Sequence, residues 1–516
     1  MNFHEFEKKL RSIFNDDNKP VFFKMNNEYS TFVYPMSINK VEDSVYFIGR
    51  EGNYKYLYVV SKNSDLLNQF EGGNVNLFYP GLYFKKCFLT TSNRKVIQSI
   101  FGFTNPSVIG LKNSFGFGDR LGLANAGHIR SLNGSKFFPV LAQQSIRELV
   151  RTNRKPEVVM DAAVWAVFQE GYKNGFGSDA DHLKTTENID RMLEAGFTMF
   201  TFDPSEYVNN NADIYNEEEL FKIASGLPWN ALNDSFPNAE KRYVGKNFSI
   251  TNNFSINVTV NDFLRAYTKY GKAIAHIKRL YDHLASKCST NKFEIEVSVD
   301  ETDSVTSPFE HFFFVNELNR LNVKFISLAP RFIGDFEKGI DYKGDLEVFK
   351  TEYKKHLAIS EYFGNYKISL HSGSDKFSVY GVIGSIKKAY THVKTAGTSY
   401  LEALKVVAAK NPGLFREILD FSRTLYETEK KSYHVSADIN NVPATEQLTD
   451  QQLITLFELN DARQVLHVTF GRVFTDKDQA GNYMFKEKIL QCLIENEATH
   501  YDFLIKHFKK HLQPFR

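Results

Sequence analysis

FEIEVSVDETDSVTSPFEHFFFVNELNRLNVKFISLA, residues 293 to 329, holds one complete strand, helix and strand unit. FEIEVSV (293–299) alternates Glu with Ile and Val in a run too short for a helix. Ser307-Pro308-Phe309-Glu310 is a capping box with proline at the first helical position, and it opens a helix through Leu318. VKFISLA (323–329) is a second apolar strand. Two such strands joined by a helix pack best as a crossover between parallel neighbours in one sheet.

The same alternation continues on both sides. Upstream, Asp161 to Lys173 sets Trp165, Phe168 and Tyr172 at helical spacing, and Phe176-Gly177-Ser178 leads into the polar stretch Asp179-Ala180-Asp181-His182. Thr186 then serves as N-cap of a helix carrying Ile189, Met192 and Leu193, Gly196 stops it, and FTMFTF (197–202) is a buried strand. Downstream come a helix from about Asp345 to Tyr362, the strand YKISLH (366–371), a glycine-containing loop and another helix. This rhythm predicts an α/β chain built on a (β/α)8 TIM-type barrel over residues 108–475, longer than the roughly 250 residues usual for that fold but within what insertions allow. The alternative is a doubly wound open sheet. Against it, no G-x-G-x-x-G turn joins a first strand to a helix, and polar clusters follow several strands instead of meeting at one crevice. Residues 1–107 form a small β-rich N-terminal region, read from PVFFKM, STFVYPM, SVYFIG and YKYLYVV, and residues 476–516 a C-terminal helical extension.

Composition narrows the function. The 516 residues are 42% hydrophobic, enough for one large domain or two ordinary ones. Lys plus Arg (63) against Asp plus Glu (61) leaves +2, far from the basic excess of a nucleic-acid partner. Cys87, Cys288 and Cys492 lack paired spacing and fit a reduced cytoplasmic compartment. The N-terminus MNFHEFEKKLRSIF does not read as a secretory signal, and no apolar stretch approaches the roughly 20 residues that span a bilayer. A soluble protein is expected.

Barrel enzymes carry their chemistry at the C-terminal ends of the strands. Four clusters meet that condition: Asp179 to His182; Glu294 and Glu296; Arg331, Glu337, Lys338 and Asp341; and His371, Ser372, Asp375 and Lys376. His182 and His371 each follow a strand-like run, and with a loop carboxylate they make a catalytic metal site with open positions. Spacing leaves Glu296, Glu337 and Asp341 equal as third ligand, and the plainer reading makes each histidine a helix cap or a partner of a backbone carbonyl. Glu294 and Glu296 share one face of their strand, and carboxylates inside a barrel must bind metal, pair with a cation or share a proton. Ser372-Gly373-Ser374 offers backbone amides to an anion, with Lys376 adding charge. The glycine-dense FGFGDRLGLANAGH (115–128) exposes Asp119, Arg120 and His128, and it lacks the ending of a phosphate loop.

SFGFGDRLGLANAGH, SDADHLKT, EIEVSVDET, LAPRFIGDFEKGIDYKGDL and LHSGSDKFS, in this order, resemble the tagaturonate epimerase family over roughly residues 110 to 470. The resemblance implies a barrel that depends on a divalent metal (Mn, Ni, Zn or Co) and interconverts D-tagaturonate and D-fructuronate in hexuronate breakdown. It implies Asp181 and Glu296 as an acid/base pair and His182, Glu337 and His371 as metal ligands. Those keto-uronates differ at C4, β to the C2 ketone, so a retro-aldol route is expected over direct deprotonation. Arg331, Lys338, Lys376 and the Ser372 loop are candidates for the substrate carboxylate, arginine being best shaped for it. Another metal-dependent ketose or uronate isomerase on the same fold is the nearest rival. A non-catalytic carbohydrate-binding protein is a more distant one, and it would more often present exposed aromatic platforms. Sequence is silent on oligomeric state.

Overall fold

The computed structural model of the chain describes residues 1–15, 18–77, 79–386 and 389–515. Eight parallel strands close a barrel in chain order: β1 (Ser114–Phe117), β2 (Phe138–Ser145), β3 (Gly177–Leu183), β4 (Met199–Phe202), β5 (Glu294–Ser298), β6 (Ser327–Ala329), β7 (Lys367–Leu370) and β8 (Thr391–Thr395). Closure comes where β8 pairs with β1, from His392 opposite Ser114 to Thr395 opposite Phe117. The fold is therefore a (β/α)8 barrel with an antiparallel sheet before it.

Local signals set the helices between strands. Ser307 caps Pro308–Arg320 with the reciprocal Glu310 contact of a capping box. Thr185, one residue before the expected Thr186, caps Thr186–Ala195, and Gly196 ends that helix at φ 94, a left-handed turn that glycine adopts freely. Much of the extra length lies between β4 and β5. Two short helices, a hairpin and the 28-residue helix Val260–Lys287 fill that connection.

Two expectations change. Asp179-Ala180-Asp181-His182 is not a loop after a strand but the body of β3. Its aspartates point into a polar barrel lumen, so the usual apolar mark of a strand is missing. Asp119, Arg120 and His128, expected on an exposed run, are 3%, 4% and 0% exposed. Asp119 turns inward to accept the backbone N–H groups of Leu121, Gly122 and Ala124, and His128 bonds Ser399 at 2.8 Å.

The N-terminal sheet contains four strands at the positions expected, Val21–Lys24, Ser30–Val33, Ser44–Glu51 and Tyr54–Ser61. One face packs on its own helix Phe3–Arg11 through Phe6, Phe23, Phe47 and Phe84. The other, with Tyr46, Leu57 and Val59, lies on Trp165 and Phe168 of the barrel helix Pro156–Gln169. After β8 the chain builds a second helical core and returns to the barrel as the helix Glu497–Leu512, whose Leu504, Phe508 and Leu512 join the barrel core. That helix lies so close to Asn125–Ser131 that a Cβ on Gly127 would fall 2.8 Å from Leu504.

Glu497 ties these parts together. It accepts from Tyr34 of the N-terminal sheet at 2.6 Å and from Tyr501 at 2.7 Å, and it pairs with Lys55. Burial pushes its carboxyl up, but Lys55 and the two tyrosine hydroxyls outweigh that and hold it down at about 2. A depressed folded-state pKa adds stability that is present above the ordinary 4.5 and is lost as pH falls through about 2. Glu497→Gln should therefore cost roughly 3 kcal/mol at pH 7, and the gap from wild type should close between about pH 5 and 2 in urea unfolding series.

Candidate active site

The site begins with a defect in β3. Pairing with β4 runs to Ala180 opposite Phe200 and resumes at Leu183 opposite Phe202, so one extra residue sits on β3. His182 takes up that bulge at φ 52, a left-handed conformation rare for a side chain with a Cβ. Consecutive residues Asp181 and His182 thereby both reach the mouth of the barrel. Across it His371 follows directly on β7, with Ser372 also at φ 52, and the two imidazoles meet edge to face at 5.1 Å. Ligand atoms of Asp181, His182 and His371 lie within 4.8 Å of one another.

Each imidazole is held at one nitrogen by a buried carboxylate. His182 Nδ1 is 3.2 Å from Asp203 Oδ2, leaving Nε2 toward Asp181 at 3.8 Å. His371 Nε2 bonds Glu296 Oε1 at 2.5 Å. Its buried Nδ1 stands 3.2 Å from Asp300 without a hydrogen bond. A carboxylate on one nitrogen fixes the tautomer and leaves a lone pair on the other, as second-shell partners of metal-ligating histidines do. Burial alone would lower both imidazoles. Asp181, Asp203 and Glu301 instead raise His182 to about 10, and Asp300 with Glu296 raises His371 to about 9. Such a cluster calls for positive charge, as protons or as a divalent cation.

Behind the histidines lies Lys394, on β8. Its ammonium is 2.7 Å from Asp179, 2.8 Å from Asp181 and 2.8 Å from Glu296, and it also donates to Thr201. Burial pushes Asp181 up, yet His182, Lys394 and His371 hold it well below the ordinary carboxylate range. Asp179 differs: burial, with Asp181 and Glu296 beside it, raises it to about 6 against Lys394. Glu294, at the other end of β5, accepts the backbone N–H groups of Ile109 and Gly110 and closes the barrel floor.

An outer cavity of about 640 Å³ is lined by Asp300, Glu301, Arg331 and Phe336 and narrows to an inner one of about 40 Å³ lined by Asp181, His182, Lys394 and His467. Arg147, Lys338, His371, Ser372 and Tyr433 line both. Lys338 donates to Ser372 at 2.6 Å. Arg331 reaches the carbonyl of Asp300 from the outer rim. Three expected residues stand apart from the histidines. Glu337 accepts from Lys343, Ser436 and Gln464; Asp341 accepts from Ser378; and Lys376, lowered to about 7 by burial, donates to the carbonyls of Glu337, Ile340 and Ser374. Glu296 is fully buried and reaches the cavity only through His371 and Lys394.

Sequence reasoning missed Lys394, Asp203, Asp300, Arg147 and His467. THVKT (391–395) offers too little apolar alternation to read as a strand, although a lysine within a short β-branched run was the available signal for an internal counter-ion. Lys394→Met removes one ammonium from three buried carboxylates. It should destabilise the protein by about 3–5 kcal/mol, read from the urea midpoint at constant m-value.

The chain is similar to known proteins over nearly its whole length. The tagaturonate epimerase family model matches residues 34–515. A tagaturonate/fructuronate epimerase from Thermotoga maritima is 42% identical over 481 residues, covering 93% of this chain and 96% of that one. The native crystal structure of the fructuronate-tagaturonate epimerase from Cohnella laeviribosi superposes with a TM-score of 0.88 at 37% identity, over 94% of this chain and 96% of that one. A glycerol complex of the same enzyme gives a TM-score of 0.87 at 38% identity with the same coverage. A family model spanning nearly the whole chain and a relative of this identity leave one assignment: the chain belongs to the tagaturonate epimerase family.

Proposed function

We propose that the protein is a divalent-metal-dependent epimerase that interconverts D-tagaturonate and D-fructuronate by inverting C4 through C3–C4 bond cleavage and re-formation. The observation that carries this reading is the pair of imidazoles, each bonded at one nitrogen to a buried carboxylate and turned at the other toward a second carboxylate at the barrel mouth. The names of the Thermotoga and Cohnella relatives, both tagaturonate and fructuronate epimerases, support the substrate pair. Three free cysteines accord with a reducing compartment such as the cytoplasm, where we place this step of hexuronate breakdown; no described helix is long and apolar enough to cross a membrane.

The donor set fits a cation. His182 Nε2 and His371 Nδ1 would hold it, the latter being a buried nitrogen with no hydrogen-bond partner of its own. When bound, a divalent cation supplies Lewis acidity to the C2 ketone of the substrate, an effect worth several kcal/mol. Asp181 belongs to the same group but is also anchored at Oδ1 by Lys394, whose charge competes with a cation for that carboxylate. We therefore assign it the proton.

C4 is β to the ketone, so its hydrogen is not acidified and inversion must come from the carbon skeleton. Asp181 takes the C4 hydroxyl proton as the C3–C4 electron pair moves into the C1–C3 fragment as an enediolate and C4 becomes an aldehyde carbon. Rotation of that aldehyde presents its other face. The pair returns to C4, and Asp181 gives the proton back to the new alkoxide. Lys394 keeps Asp181 ionised and in place, and Glu296 acts as a positioning residue that fixes the His371 tautomer.

Turnover of either keto-uronate should vanish on chelation and return with added Mn, Ni, Zn or Co. In heavy water no deuterium should enter C4, since that hydrogen never leaves its carbon. NMR of the product decides this, and stoichiometric label at C4 would sink the cleavage route. Glu296→Gln separates positioning from proton transfer. Acting through His371, it should weaken metal binding about 10- to 100-fold and be rescued in part by excess metal. Unchanged metal affinity with lost activity would instead make Glu296 a proton carrier.

A further inference from the structure

His467 lies on the helix Asn460–Val468, far along the chain from the barrel strands that bear the imidazoles. It is 1% exposed and lines the inner cavity, and neither ring nitrogen has a hydrogen-bond partner among the described residues. An unmade bond on a buried polar atom costs about 1–3 kcal/mol, so an apolar side chain of this size would serve the helical core better. The backbone has nevertheless been cleared to receive the ring. Gly397, just past β8, could not carry a Cβ without striking it, and a Cβ on Gly339 would fall 3.4 Å from Nδ1.

Arg120 shows the same pattern beside it. Its Nε donates to Glu148 at 2.8 Å and its guanidinium lies over Phe470 at 3.6 Å, but the buried Nη1 has no partner among the described residues. Burial, with the charges of Arg120 and Lys338 nearby, keeps the His467 imidazole neutral, so it presents one N–H and one lone pair. Arg120 and His467, each with an unspent donor, line one small cavity together with Lys338; the Glu148 carboxylate on that side is occupied by Arg120 Nε, while the imidazole side is rich in carboxylates. A ligand with one acidic and one neutral end has a single favourable orientation there.

We propose that Arg120 Nη1 and the His467 N–H, with Lys338, form the subsite that binds the carboxylate of the substrate, so that the ketone end is directed to His182 and His371. This rests on the reading of the cavity as a keto-uronate site. It makes the neutral ketose a poor ligand, because that molecule leaves two buried donors unpaired.

The test uses calorimetric binding and steady-state kinetics with the keto-uronates and with neutral tagatose, on wild type, His467→Leu and His467→Met. Wild type should bind the keto-uronate at least about 100-fold more tightly than tagatose. Both variants should raise KM and Kd for the keto-uronate by about tenfold or more with a smaller change in kcat, and leave tagatose binding alone. Their melting temperature should equal or exceed that of wild type, an outcome a structural histidine would not give. Equal wild-type affinity for acid and neutral sugar overturns the proposal. So does unchanged KM in the variants, or melting of both well below wild type. Selective binding without epimerisation would keep the subsite and remove the functional reading. Epimerisation that is indifferent to both variants would do the reverse.

Discussion

The ammonium of Lys394 is the condition for the rest of the barrel mouth. A parallel barrel hides its lumen from water, and an unpaired carboxylate there is driven to protonate. Asp179, Asp181 and Glu296 all touch this one cation, so three strands, β3, β5 and β8, share a single electrostatic tie. Glu296 uses its remaining capacity on His371 and Ser327, and Asp181 faces His182. The tie thereby sets the orientation of His371 and of the carboxylate that His182, itself held by Asp203, faces. A well-satisfied buried network of this kind buys a unique arrangement rather than stability, since apolar packing of the same volume would be at least as stable.

Loops above the strands are fixed from outside the barrel. Asp375, left-handed at φ 62 in the loop after β7, is gripped by Arg463 at 2.7 Å and by His507 at 2.7 Å. Glu402 holds the other nitrogen of His507. Glu337 joins the loop after β6 to Ser436 and Gln464, and Lys376 stitches that loop to the one after β7 through three carbonyls. Residues whose sequence context suggested contact with ligand thus hold together the frame in which His371 and Lys338 stand. Charge was legible in these runs. Its direction was not, because a loop carboxylate one residue either way faces a helix or a cavity.

Most of the barrel could be read in advance where one face of a strand is a clear apolar row, as Phe293, Ile295, Val297 and Val299 are in FEIEVSV and Tyr366, Ile368 and Leu370 in YKISLH. It failed at β1, β2, β3 and β8, whose lumen-facing positions hold Gly116, Gln143, Asp179 and Lys394. A polar lumen leaves no mark of a buried strand where the opposite face is short or weakly aliphatic, as in SFGF and THVKT. His182 was recognisable by residue type, while the bulge that turns it inward is a matter of register with β4 and leaves no mark in the one-dimensional pattern. His467 lay outside any strand end and carried no signal.

The junction at Glu497 sets the order in which the molecule can be completed. Tyr34 and Glu497 touch across 463 positions of chain, and the helix that bears Glu497 also covers the first barrel helix at Gly127. A ribosome makes the N-terminal sheet and all eight strands before it makes the surface they close against. Until then the nascent barrel shows an apolar flank, and Asp375 lacks the histidine that steadies its loop. Long-range closure of this kind is slow and leaves collapsed intermediates open to aggregation. Assembly of the catalytic mouth is accordingly a late event in biosynthesis, and the partly made chain is a natural client for chaperones.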